Sequence, residues 1–129
     1  MVKILTIFML LLISTNVFAE WTYIGNSDNF NSYVDMKTIR NKGNKAKMWY
    51  LFDYKTAQIT SQNNEFWSAL AIDEYDCTDG TSRTLSVSFL SGKMNIGQVV
   101  FKNDIKGEFK EIPPGSIIER IFKIACGIK

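Results

Sequence analysis

The chain has 129 residues, with 15 Lys plus Arg, 13 Asp plus Glu, two Cys, two Pro and no His. The missing histidine excludes Ser-His-Asp and Cys-His nucleophile pairs, His-ligated zinc and an imidazole base, and two thiols cannot form a four-thiolate metal site. A formal net charge of +2 lacks the basic excess of a dedicated nucleic-acid binder.

Lys3 precedes an apolar run from Ile4 to Ile13, broken only by Thr6. Val17-Phe18-Ala19 then puts small residues at the −3 and −1 places of a cleavage site. A basic start, a short apolar stretch and such an end are the pattern of a secretory signal peptide. A membrane span needs about 20 apolar residues, more than this run supplies. The sequence predicts residues 1–19 as a cleaved signal and residues 20–129 as one exported domain. No cysteine stands at the cleavage point, so a lipid anchor is not expected. The periplasm, the medium and the cell surface are all open to such a product.

Strands follow. Trp21 to Gly25 and Phe30 to Asp35 are short candidates, and Lys47 to Tyr54 is a third, entered through the turn-like Asn41-Lys42-Gly43-Asn44. Ala57 to Asn64 is polar and reads as a loop. Glu65 to Asp76 is apolar and aromatic, and Asp79-Gly80 after it predicts a hairpin to the next strand. In Thr84 to Leu90, Leu85, Val87 and Phe89 alternate with Thr84, Ser86 and Ser88, the pattern of a strand with one wet face. Ser91-Gly92-Lys93 predicts a turn into a strand from Met94 to Phe101.

The C-terminus changes period. Pro113-Pro114-Gly115 ends the preceding segment, and Ser116-Ile117-Ile118-Glu119 is a capping box that opens a helix. Ile118, Ile121, Phe122 and Ala125 share one helical face with Cys126, and Gly127 suits the stop. Cys77 and Cys126 are the only thiols, and an even pair in an exported chain reads as a disulfide. The expected fold class is α+β: an antiparallel sheet of five to six strands with a C-terminal helix tethered by that disulfide.

Trp21, Tyr33-Val34-Asp35 with Ile39-Arg40, and Trp49 to Tyr54 form an ordered set with Ser68, Glu74-Tyr75-Asp76-Cys77 and Arg83. Gly92, Met94, Gly97, Pro113-Pro114-Gly115-Ser116 and Cys126 complete it. This set resembles the bacterial surface-adhesin protein E-like family across nearly all of residues 20–129. The resemblance implies a sheet with a disulfide-bonded C-terminal helix and adhesion to host matrix or plasma proteins. The adhesin that gives the family its name is lipid-anchored, whereas this chain lacks the anchoring cysteine. A periplasmic accessory protein or hydrolase inhibitor is the alternative.

Three groups of side chains remain to be weighed. Lys37, Arg40, Lys42, Lys45 and Lys47 carry five positive charges with no intervening acid. Such a patch suits an acidic protein face or a polyanion, or else guards an exposed strand edge. Asp73, Glu74 and Asp76 resemble a carboxylate pair for glycoside hydrolysis. On a strand, however, Asp73 faces away from the other two, and Arg83 across the hairpin is a natural partner for them. Trp49, Tyr50, Phe52, Tyr54, Phe66 and Trp67 are expected mostly beneath the helix, with one or two on an open face. Ser116 lacks any activating base and reads as a helix cap. The sequence predicts no catalytic residue, metal ligand or cofactor. The expected partner is a protein or an envelope polymer.

Overall fold

The computed structural model describes residues 19–129, so the signal segment lies outside the described residues apart from Ala19. Six strands form one antiparallel meander: β1 (Thr22–Asn26), β2 (Phe30–Lys42), β3 (Lys45–Ile59), β4 (Glu65–Asp76), β5 (Thr81–Leu90) and β6 (Val99–Asn103). A two-residue strand, β7 (Lys110–Glu111), pairs with Thr81 and Ser82 of β5. One helix follows, α1 (Ile117–Cys126). The expected fold class is therefore the observed one. No helix among the described residues is long and apolar enough to cross a membrane.

Alternation along the central strands builds the core. Ala46, Met48 and Tyr50 on β3 and Ala71 and Tyr75 on β4 are buried on one face with Val34 of β2. The helix presses Ile121 and Ala125 into this patch, and Phe122 packs its ring 6.0 Å from that of Tyr75. At the helix start the Ser116 hydroxyl accepts the Glu119 N–H at 3.2 Å, while the Glu119 carboxylate accepts the N–H of Gly115 at 3.3 Å. Gly127 closes the other end in the left-handed region, φ 68°.

Two ties hold so short a helix to the sheet. Cys126 is bonded to Cys77, just beyond β4, with their Cα atoms 5.7 Å apart and a sequence separation of 49. Restricting the unfolded chain over a loop of that length stabilises the fold by about 4 kcal/mol. At the opposite end, Arg120 donates to the carbonyl of Ile24 across Gly25. A Cβ on Gly25 would lie 2.6 Å from the Arg120 guanidinium, and its φ of +147° also favours glycine.

The strands depart from their expected bounds for local reasons. β2 runs on to Lys42 through an irregularity between Asp35 and Arg40. There the Thr38 hydroxyl donates to the carbonyl of Asp35 at 2.6 Å and accepts the Trp49 N–H at 3.0 Å. β3 continues to Ile59, and the polar connection shrinks to a turn closed by Thr60 and Asn64. The tight turn at Ser91-Gly92-Lys93 is instead a loop reaching Gln98, with Met94 and Asn95 at φ 55° and 62°. It folds back because buried Asp53 and Ser68 need partners. Asp53 accepts the Met94 N–H at 2.8 Å, and the Ser68 hydroxyl donates to Gly92 O at 2.7 Å.

The aromatic residues also sit differently from expectation. Tyr50 and Phe52 contribute to the helix-covered core. Tyr54 and Phe66 instead join Phe30, Phe89 and Phe101 in a row of touching rings from β2 to β6. Phe66 and Phe89 stack at 4.2 Å, so these faces are spent on one another. Trp67 lies beneath the ammonium group of Lys93, 5.5 Å from its ring centre.

Candidate binding surface

β1 pairs only with Asn31 to Val34 of β2. The rest of β2 has no strand partner on that side; Met36, Lys37, Arg40 and Lys42 lie along it, with the Lys37 N–H accepted by the Asp35 carboxylate. The tip is the turn at Gly43-Asn44, where Gly43 adopts φ 60°. Arg40, Asn41 and Lys42 are exposed there, beside a shallow depression of about 280 Å³ that Lys45, Lys47 and Glu74 complete.

The five cations of this segment are not equivalent. Lys37 is paired with Glu20, which raises its pKa above the usual lysine value. Lys45 bonds Asp76 at 3.1 Å, and Lys47 reaches Glu74 at 4.0 Å. Arg83 grips Glu74 from β5 at 2.6 Å, as the cross-hairpin pairing predicts, and lies over the ring of Phe109. The Arg40 guanidinium donates to the carbonyls of Lys37 and Ile39. Arg40 and Lys42 thus carry charge that no carboxylate among the described residues offsets within ion-pair distance.

Asp76 organises the tip. One of its oxygens accepts the N–H groups of Thr78 and Asp79, at 3.0 and 2.9 Å, and the Asn44 amide at 3.1 Å. The Asp79 amide, helped by Lys45, holds its carboxyl below the usual carboxylate range. The Cys77 N–H also bonds Asn44 O at 2.8 Å, so both turns and the disulfide are fastened together.

Asp73 stands apart on the helix-covered face. It is 3 % exposed and accepts the Tyr50 hydroxyl at 3.1 Å. Burial raises its pKa to about 6, against the opposing effect of the Thr84 and Tyr50 hydroxyls. Burial likewise raises Tyr50 well above the phenolic range, with Asp73 adding to the effect. A strict two-residue period puts Thr84 on the opposite face from Val87. A register shift between the pairs Ile72–Ser86 and Asp73–Thr84 brings Thr84 opposite Asp73 instead. The three acids are therefore divided: Asp73 lies below the helix side, while Glu74 and Asp76 serve the hairpin ion pairs. No group of His, Cys, Asp and Glu able to hold a metal ion occurs among the described residues.

The family model for surface-adhesin protein E matches residues 21–127. Two solved structures of Haemophilus influenzae protein E superpose with TM-scores of 0.67 and 0.64. They share 12 % and 14 % sequence identity with this chain and cover 88 % of it, with 92 % and 89 % of their own chains covered. At that identity the likeness concerns the fold. A search of curated protein sequences finds no match. By the extent of the family match, residue 21 to residue 127, this chain belongs to the surface-adhesin protein E family.

Proposed function

We propose that this chain is an exported, non-catalytic adhesin-like protein that holds a host matrix or plasma protein on the outer edge of β2 and its hairpin tip. The observation that carries the reading is the family match over residues 21–127 of a chain whose helix is stapled to its sheet. A sheet fixed in this way presents a pre-formed surface, which lowers the ordering cost of binding. Arg40 and Lys42 supply charge to attract an acidic face, and Met36 supplies apolar area at 47 % exposure beside them.

The test combines location with binding. Protease treatment of intact cells is expected to remove the protein. Protection until the outer membrane is opened would refute adhesion and favour the periplasmic accessory or inhibitor role. R40E/K42E leaves the Lys45–Asp76 and Lys47–Glu74 pairs intact and is expected to weaken capture of matrix or plasma protein, most of all at low salt. Unchanged capture by a folded variant would refute the assignment to this edge.

A further inference from the structure

A cavity of about 380 Å³ lies between β5, the connection to β7 and the start of α1. Tyr50 and Asp73 line it from β3 and β4, Thr84 from β5, and Pro113 and Ile118 form its apolar side. Its volume falls within the range of small-ligand sites. Asp73 contributes a carboxylate that is 3 % exposed.

That carboxylate has no cation of its own. Among the described residues no Lys or Arg lies within ion-pair distance of it. Arg83, which also lines the cavity, is engaged by Glu74 and stacked on Phe109. Glu108 and Lys110 line the cavity with opposite charges, and the helix contributes uncharged Ile118. Within the core, Tyr75 carries a buried hydroxyl with no hydrogen-bond partner. A desolvated carboxylate is costly unless it gains a proton or a counter-ion. The Tyr50 and Thr84 hydroxyls together occupy only part of its acceptor capacity.

We infer that this cavity receives a primary alkylammonium group, with the Asp73 carboxylate as counter-ion and the Tyr50–Pro113–Ile118 wall against its apolar stem. A free alkylamine and the lysine side chain of a bound polypeptide share that chemistry. Proton uptake by Asp73 competes with the amine, because burial has already brought its pKa to about 6. Binding is therefore strongest above that pH and fades in acid, in the order expected for a shared carboxylate.

The experiment is an amide-resolved NMR titration of the protein with n-butylamine, with butan-1-ol as the uncharged control. An acetyl-lysine-amide probe, acetylated at its α-nitrogen only, tests the polypeptide source. Saturable shifts at Thr84, Gly107 and Ile118 are expected with both amines at pH 7.5. They should weaken at pH 5 and fall at least about tenfold in affinity in D73N. Tighter binding of the lysine probe assigns the site to a polypeptide side chain, and tighter binding of butylamine assigns it to a free amine. Equal binding by wild type and folded D73N, an equal response to butan-1-ol, or no saturable shift at these amides would overturn the inference.

Discussion

Replacing Asp73 by Asn tests the energetic reading of the helix-covered face. The side chain keeps its shape and an oxygen for the Tyr50 hydroxyl, now 3.1 Å from the carboxylate, but loses its charge. Burial displaces the carboxyl from 3.8 to about 6, so between those pH values the folded chain holds more protons than the unfolded chain. Stability must then fall as pH rises through this window, by about 3 kcal/mol in total. Above pH 7 the full cost of the buried anion is present, whereas below pH 4 it is absent. D73N removes the cost but must bury an amide, so a gain of about 1–3 kcal/mol at pH 7.5 is expected, shrinking toward zero near pH 4. Urea unfolding of oxidised wild type and variant at pH 4, 5.5 and 7.5 measures both terms. A variant less stable than wild type by the same amount at every pH would refute the reasoning.

Three further outcomes follow from the same packing. Tyr50→Phe removes the hydroxyl donor from Asp73 and is expected to cost about 1–3 kcal/mol at pH 7.5 and less at pH 4, measured by the same unfolding series. Reduction, or the C77A/C126A pair, should lower stability by about 4 kcal/mol, and an unchanged melting temperature would contradict the constraint assigned to the disulfide. Ser116→Ala leaves the Glu119 N–H without its cap and should cost about 1 kcal/mol by urea unfolding, with rescue by Asp at the same position.

Much of the fold was legible because its signals are local. Asp79-Gly80 marks the hairpin joining β4 to β5, the Ser116–Glu119 spacing marks the helix start, and the chain's only two thiols leave one natural pairing. Arg83 with Glu74 was likewise readable, since a hairpin register places them opposite each other. The candidate surface was only half legible. The run from Lys37 to Lys47 looks uniformly basic in sequence, but Glu20 before β1 and Glu74 and Asp76 on β4 approach it and neutralise part of it. The Asp73 site was hidden for a different reason. A single bulge on β5 moves Thr84 to the other face, and nothing in the regular alternation from Leu85 to Phe89 announces it. The return of the 91–98 loop depends in the same way on buried Asp53 and Ser68, whose burial is a tertiary outcome.

The Cys77–Cys126 bond also fixes how the molecule would carry tension. A pull between the β1 end and a point beyond Cys126 passes from Cys126 directly to Cys77, bypassing β5, β6, β7 and the helix. The bypassed stretch, a sequence separation of 49 residues, would otherwise release about 170 Å of slack when drawn out. Only the β1–β4 meander lies on the load path, with Asp76 and Asn44 clamping the turn beside the point where the force enters. The bond therefore withholds that stretch from any extension under tension, and reducing it would add the stretch to the load path.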